Sequence, residues 1–283
     1  MNRPAVPLIS VCLPAYNNEA FIGPAIESVL NQTFADFELV VVDDRSTDGT
    51  REKIRAFRDP RIRIVENDRN LGLEGNWNKA LREARGRFVK ILPGDDLLHS
   101  RCLERQTAVF EDPAAEGVAL VACAREIMDE NGRKIMRRGF PGAGGPIPGL
   151  EAVRRCVRAG TNLIGEPASV LMSAGMIART GFFDGANLYV IDLDYWSRLL
   201  LQGNLFVIGE PLCRFRVSRT AASTRFRSSQ SRDFRRWIER LGCDPRFGLT
   251  RRDLRRGRIR AAVNEVMRRM IYGLMVSRNR RKS

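Results

Sequence analysis

The sequence predicts an α/β fold: a mostly parallel central sheet flanked by helices, carrying a basic helical extension at the C-terminus. Three observations lead there. Short apolar runs alternate with stretches of helical period over the first hundred residues. Those runs are brief and partly β-branched, the mark of strands buried on both faces. The charge is segregated: residues 217–283 hold 20 of the 48 Lys+Arg and 5 of the 33 Asp+Glu, which accounts for the whole excess of +15.

The first strand is expected at LISVCL (8–13) and the second at FELVVV (37–42). Between them Phe21, Ala25 and Val29 recur every fourth residue, as do Ile22, Ile26 and Leu30, and Pro24 suits the first turn of that helix. RIRIVEN (61–67) and GRFVKIL (86–92) give strands three and four, with helices at 48–57 and 73–84 and Gly86 placed to end the second of these. Strands and helices alternating at these lengths imply right-handed crossovers and a parallel sheet. A helix near 100–110 leads to a strand at 117–123, and DENG (129–132) reads as a hairpin turn. The segment 139–149, rich in glycine and proline, reads as a loop. Helices are expected at 150–159 and 192–202, and an extended piece at 205–217. The chain divides into three segments, 1–100, 101–216 and 217–283, the last being the basic extension.

The composition, 43% hydrophobic and 29% charged over 283 residues, is that of a folded globular chain. No apolar run reaches about 18 residues, so no transmembrane helix is expected, and the start MNRPAVPLIS lacks the pattern of a signal peptide. Six cysteines lie far apart with no C-x-x-C pair, pointing to reduced structural thiols and a cytoplasmic protein. The single histidine, His99, rules out a histidine-based metal site or a Ser/His/Asp triad. It reads as a surface or capping residue.

Ligands of open α/β sheets bind beyond the carboxyl ends of the strands. There stand Pro14-Ala15-Tyr16-Asn17-Asn18, then Asp43-Asp44-Arg45-Ser46, then Gly94-Asp95-Asp96. No Gly-x-Gly-x-x-Gly or Walker lysine loop is present. Singly, each element has an ordinary reading: a half-buried aromatic, helix caps, turn acids favoured by a helix dipole. Three such clusters at three ligand-side strand ends favour a binding site. The adjacent carboxylates of Asp95 and Asp96 also need a positive partner.

The segments SVCLPAYNNEAFIGPAIESVLNQTFADFELVVVDDRSTDGT, NLGLEGNWNKAL, GRFVKILPGDD, GFFDGANLYVIDLDYWSRLL and GEPLCRFRVS resemble, in that order, the family 2 inverting glycosyltransferases of GT-A fold. The resemblance spans roughly residues 8 to 218, and it implies a nucleotide-sugar-binding half at 1–100 and an acceptor-binding and catalytic half at 101–216. It implies that Pro14, Ala15, Tyr16 and Asn17 contact the nucleotide base, and that Asp44 accepts the pyrimidine N3–H. It places Asp95 near the ribose and metal, and makes Asp96, expected as a solvent-accessible acid, a ligand of Mg²⁺ or Mn²⁺. It also makes Asp192 the general base. The chain departs from the family pattern at Pro93, Ile191 and Ser218, where an acid, a glutamate and a histidine are usual. Loss of the last leaves Arg216 or a tail arginine as the candidate diphosphate contact. GEPASVLM (165–172) is placed on the acceptor side, with Glu166 and Ser169 as candidates, and Trp196 is a candidate for stacking on a sugar, though its spacing also fits a core residue.

The activity that the resemblance implies is a metal-dependent transfer from a UDP- or dTDP-sugar to a glycan or lipid-linked glycan, on the cytoplasmic side. Alternatives are a catalytically inactive glycan- or nucleotide-binding relative and a basic nucleic-acid-binding protein, although nucleic acid is not expected, since the tail has few aromatics for base stacking. In the tail, Val263, Met267, Ile271 and Leu274, with Val266 and Met270, share one helical face among arginines. That pattern fits a helix lying on an anionic membrane surface, and equally one whose apolar face packs on the body.

Overall fold

A computed structural model describes residues 6–112, 115–142, 144–217 and 230–280, with side chains as far as Met267 in the last stretch. Ser218 lies outside it. The chain alternates β1 (Ile9–Ala15), α1 (Ile22–Leu30), β2 (Phe37–Asp43), α2 (Thr50–Ala56), β3 (Ile62–Glu66), α3 (Gly72–Glu83) and β4 (Phe88–Ile91). After these come β5 (Leu97–Leu98), α4 (Cys102–Glu111), β6 (Val118–Met128), β7 (Lys134–Arg138), β8 (Gly145–Ile147) and α5 (Gly149–Ala159). A 3₁₀ turn (Pro167–Ser169) leads to β9 (Val170–Ser173), α6 (Ala174–Thr180), α7 (Ile191–Leu199), β10 (Asn204–Arg216), α8 (Gln230–Cys243) and α9 (Arg251–Arg280).

All the strands join one sheet, in the order β3-β2-β1-β4-β9-β6-β10-β5, with β7 beside β6 and β8 beside β10. The first four are mutually parallel, as expected from their short crossovers. β9 enters antiparallel between β4 and β6, and β6 and β10 run parallel to each other. Alternation along β1 divides the core in two. Ile9, Val11 and Leu13 pack with Ile22, Ile26 and Leu103 on one face, while Cys12 joins Leu81, Val157, Leu193 and Trp237 on the other. Period-two burial thus sends α1 and α4 to one layer and α3, α5, α7 and α8 to the other.

Several expectations need correction. Gly86 does not end α3, which stops at Glu83. Its Cβ would instead lie 2.5 Å from the Ser10 backbone nitrogen, so glycine is required by the close approach to β1. The segment 139–149 is not wholly loop: Gly145–Ile147 pairs with Leu205–Val207 of β10. A Cβ at Gly144 would sit 2.9 Å from the Val207 carbonyl, which is why the segment needs a glycine there to lie on that strand. The hairpin turn at 129–132 is present, closed by Asp129 N–H to the Arg133 carbonyl at 2.9 Å.

α9 starts with a reciprocal cap. The Thr250 backbone N–H donates to Asp253 Oδ2 at 3.0 Å, and Asp253 N–H donates to Thr250 Oγ1 at 3.2 Å. Asp253 also pairs with Arg158 of α5 at 2.5 Å. The helix lies close on α5: a Cβ at Gly160 would collide with the Ala261 nitrogen, and one at Gly257 would meet the Val157 carbonyl at 2.5 Å. Asn264 Nδ2 donates to the carbonyls of Ala159 and Gly160, both at 2.9 Å, satisfying the exposed end of α5. The face that packs is therefore Gly257, Ala261 and Asn264. The opposite face presents Ile259, Val263, Val266 and Met267 at 56, 41, 52 and 53% exposure. The side chains of Met270, Ile271 and Leu274 lie outside the described residues.

Glycine replacement tests this packing. Gly86→Ala is expected to lower stability by about 1–3 kcal/mol through overpacking against backbone. Gly23→Ala, in α1 with nothing within 4 Å of the added methyl, is expected to raise it by up to about 1 kcal/mol. Paired urea denaturation curves measure both.

Candidate active site

A cleft of about 690 Å³ opens over the carboxyl ends of β1, β2 and β4 and is lined by Tyr16, Asp44, Asp95, Glu166, Asp192 and Arg216, among others. The first wall is the turn after β1. Asn17 takes a left-handed backbone (φ 51), a conformation asparagine tolerates. There its N–H donates to Ser46 Oγ at 3.1 Å and its Oδ1 accepts the Thr47 N–H at 2.8 Å, joining the β1 and β2 turns. Asn18 Oδ1 accepts the Tyr16 N–H at 2.9 Å, and the Tyr16 ring stays 42% exposed on the cleft. Pro14 and Ala15 form the cleft floor beside it.

Asp44 stands at the N-terminus of α3, where N–H groups gather and a carboxylate is favoured. Its Oδ1 accepts from Leu71 N and Asn67 Nδ2, both at 2.8 Å, and its Oδ2 from Gly72 N at 2.9 Å. Three donors leave a lone pair on Oδ2 for a ligand N–H. Asn76, which the sequence pattern did not single out, fastens this wall by donating to the Val42 carbonyl at 3.2 Å, while its Oδ1 accepts from Asn67 at 3.0 Å.

The acid pair occupies the second wall. Asp95 lines the cleft, whereas Asp96 is fully buried behind it, not the accessible acid expected from sequence. Asp96 Oδ1 accepts the Arg216 backbone N–H at 2.9 Å, while Oδ2 is buried with no hydrogen-bond partner among the described residues. Burial, and then the neighbouring Asp95 charge, push the Asp96 carboxyl well above the usual range. Burial likewise raises Asp95. The nearby guanidinium is already committed. Arg216 Nε donates to the Asp95 carbonyl at 2.9 Å and Nη1 to the carbonyls of Asp129 and Glu130 at 3.2 and 3.1 Å, and its head lies 4.5 Å over the Phe21 ring. Two carboxylates with an orphaned oxygen suit a small hard cation whose remaining ligands would be ligand and water oxygens. Among the described residues no third histidine, cysteine or carboxylate joins them.

Asp192, in the first turn of α7, forms the third wall. Its Oδ1 accepts the Leu193 N–H at 2.7 Å and its Oδ2 the Asn162 Nδ2 at 3.0 Å. Burial, followed by the Glu166 charge, raises its pKa to about 7. Asp194, two residues on, points away, paired with Arg198 at 3.1 Å and with Arg240 of α8. Glu166 reaches the cleft and pairs with Arg125, whose side chain is almost wholly buried. Ser169 is buried, with Oγ donating to the Glu166 carbonyl at 2.7 Å, so it shapes the turn instead of facing the cleft. Trp196 is fully buried, and its Nε1 donates to the Gly165 carbonyl at 3.0 Å. It belongs to the core and offers no ring face to a sugar. Sequence pattern likewise gave no sign of Arg125, Asn162 or Lys90, whose buried ammonium donates to the carbonyls of Ala168 and Val170 at 2.7 and 3.1 Å.

The Glycosyl transferase family 2 model matches residues 10–167, which hold the first two walls and Glu166. The chain belongs to glycosyl transferase family 2. As a family 2 glycosyltransferase it is 33% identical over 230 residues to an uncharacterized protein of Mycobacterium tuberculosis, covering 79% of this chain and 71% of that one. It is 43% identical over 103 residues to the Escherichia coli UDP-Glc:alpha-D-GlcNAc-diphosphoundecaprenol beta-1,3-glucosyltransferase WfgD, covering 36% of this chain but only 41% of the relative's length. S. aureus TarS 1-349 in complex with UDP-GlcNAc superposes with a TM-score of 0.65 at 20% identity, over 83% of this chain and 65% of that one. The Pyrobaculum calidifontis mannosyltransferase PcManGT, in complex with GDP-Man and Mn2+, gives 0.63 at 20% identity over 88 and 68%. These two likenesses establish the GT-A architecture.

The raised Asp192 value has a consequence for stability independent of any reaction. Because the folded-state value exceeds the unfolded one, the folded protein favours the proton. That contribution is complete below about pH 4 and is lost as pH rises through about 7. The melting temperature of Asp192→Asn minus that of the wild type is therefore expected to be larger at pH 8 than at pH 5, measured by calorimetry.

Proposed function

We propose that this glycosyltransferase moves a sugar from a uridine or thymidine diphosphate sugar to a glycan hydroxyl, with inversion and with a divalent cation. The observation that carries this reading is the shared cleft. An open acceptor for a base N–H (Asp44), an acid (Asp95) backed by a second, buried one (Asp96), and a carboxylate with a pKa near 7 (Asp192) are gathered at it. The Tyr16 ring would lie against the pyrimidine, with Pro14, Ala15 and Asn17 framing it and Asp44 Oδ2 accepting N3–H. The ribose would sit by Asp95. A Mg²⁺ or Mn²⁺ ion held by Asp96 and Asp95 would supply Lewis-acid stabilisation of the departing diphosphate. The relatives' names support the donor class and the cation: one is a UDP-Glc enzyme, one is in complex with UDP-GlcNAc, and one with GDP-Man and Mn2+.

Asp192 works on the other side of the sugar. Its two oxygens each accept one donor, fixing the carboxylate plane and leaving lone pairs toward the cleft. As the nucleoside diphosphate leaves, the acceptor hydroxyl attacks the anomeric carbon from the opposite face and passes its proton to Asp192. One displacement inverts the centre. A base with a pKa near the operating pH combines a deprotonated ground state with proton affinity. Glu166 would bind acceptor or sugar hydroxyls beside it. Arg216 lines the cleft with Nε and Nη1 engaged on three backbone carbonyls, so its Nη2 is the part of the guanidinium that would reach a diphosphate. Arg138, exposed on the cleft wall with no ion pair among the described residues, is a second cation there for a phosphate. Beside it Ile127, Ile135 and Met136 give the wall an apolar character suited to a lipid-linked acceptor.

No helix among the described residues is long and apolar enough to cross a membrane. The exposed line of Ile259, Val263, Val266 and Met267, on a helix whose opposite face is docked, would rest on an anionic membrane surface at the cytoplasmic side. Arginines at 251, 255, 256, 258 and 260 flank it, each contributing about 1 kcal/mol near such a surface.

Two outcomes are expected. Asp192→Asn lowers turnover by about 10²-fold or more with UDP affinity unchanged, while the wild-type rate rises with pH through about 7, read in a UDP-release assay. The double variant Val263→Asp with Val266→Asp keeps the wild-type melting temperature and loses co-sedimentation with phosphatidylserine vesicles. Vesicle binding unchanged in that variant would remove the membrane role of α9.

A further inference from the structure

The charged atom of a general base must be held as well as placed. In this cleft the holding group comes from the link between α5 and the 3₁₀ turn at Pro167–Ser169, a stretch with no regular structure. α5 ends at Gly160 in the left-handed region (φ 62), fixed against Ala261 and capped by Asn264 from α9. Two residues later Asn162 turns inward. Its Nδ2 donates to Asp192 Oδ2 at 3.0 Å and to the Gly165 carbonyl at 3.1 Å, and its Oδ1 accepts the Gly165 N–H at 2.9 Å. Gly165 itself has little freedom: its φ is 126, a Cβ would collide with Ser169 Oγ, and its carbonyl also accepts from Trp196 at 3.0 Å. The amide therefore has one orientation that meets all three bonds. Flipping it would set its NH₂ against the Gly165 N–H.

We propose that Asn162 is the positioning residue of the catalytic carboxylate, a side-chain clamp that holds Asp192 ionised and in plane with one oxygen lone pair facing the acceptor. The inference rests on the reading of Asp192 as the base. Asp192 Oδ1 is served by a backbone N–H that no side-chain substitution removes, so Oδ2 is the oxygen whose state the 161–165 link controls. The other charged or titratable groups bearing on Asp192 are Glu166, whose charge raises its pKa, Arg125, whose charge lowers it, and the buried thiol of Cys156 on α5. Glu166 and Arg125 are ion-paired, and of their opposed effects on Asp192 the upward push of Glu166 is the larger. The neutral amide of Asn162 thus remains the side-chain donor that favours the charged form, and removing it shifts the balance toward the proton.

The test reads Asp192 directly. The full-length protein is labelled with ¹³C at aspartate carboxyl carbons and titrated by NMR, the Asp192 signal being the one absent from Asp192→Asn. In the wild type its midpoint lies near pH 7, and in Asn162→Ala it moves up by about one pH unit or more. Asn162→Ser, whose hydroxyl is too short to reach Oδ2 but can still serve Gly165, gives the same upward shift and covers the case in which the alanine variant does not fold. An unchanged midpoint in the folded variant overturns the clamp while leaving the base assignment standing. Full turnover by Asp192→Asn, in the UDP-release assay, overturns the base assignment and the clamp together.

Discussion

Asp95 and Asp96 place two adjacent carboxylates in one turn, and the buried one keeps an oxygen without a partner among the described residues. Mutual repulsion and lost hydration both oppose ionisation there, so the turn is stable with both groups charged only beside positive charge. The obvious internal candidate supplies only part of it: the Arg216 charge lowers both acids, yet burial keeps both raised. Arg216 threads the same turn, yet its guanidinium serves backbone carbonyls at 95, 129 and 130 and stacks on Phe21. Arginine is thereby the fastener that ties β10, the 129–132 hairpin and the β1 turn around the acids, and in the proposed function the rest of the counter-charge comes with the ligand. Donor and cation would then bind as a unit.

The rest of the cleft depends on connections to either side of this turn. β1 and β2 end together because Asn17 and Ser46 cross-link their turns, and α3 begins on Asp44 because three donors meet that carboxylate. On the far side Asp192 is held with the help of α8 and α9. Arg240 of α8 grips Asp194, which points away from Asp192, and α9 caps the end of α5 from which Asn162 is delivered. The basic extension thus has two faces with two jobs. One packs on α5, and the other is exposed and in the proposed function meets a membrane surface.

Sequence pattern made the N-terminal half legible because its signals are local. Apolar runs at 8–13 and 37–42, helical spacing from Phe21 to Leu30, and acids at strand ends all lie within a few residues of what they build. What stayed hidden depends on partners far along the chain. β9 pairs between β4 and β6, yet GEPASVLM gives no strand-length run of its own, since Pro167–Ser169 coils before Val170 extends. Gly86 and Gly144 look like helix stop and loop filler, and only the distant backbone of Ser10 or Val207 shows why a side chain is barred. Trp196 allowed two readings, an aromatic stacking on a sugar or a core residue at helical spacing, and its full burial decides for the core. Asn162 gave no signal, because nothing local links it to Asp192 thirty residues later. The same distance kept the Asp96 burial from view, since it is set by the backbone of Arg216.

The dependence of donor binding on a cation at the acid pair is the central claim, and calorimetric titration of UDP tests it most directly. In the wild type, Mn²⁺ should strengthen UDP binding about tenfold or more over binding in EDTA, and Asp96→Ala should abolish that gain while retaining the weak metal-free affinity set by Asp44 and Tyr16. Equal UDP affinity with and without Mn²⁺ in the wild type, or the full gain persisting in Asp96→Ala, would contradict the account.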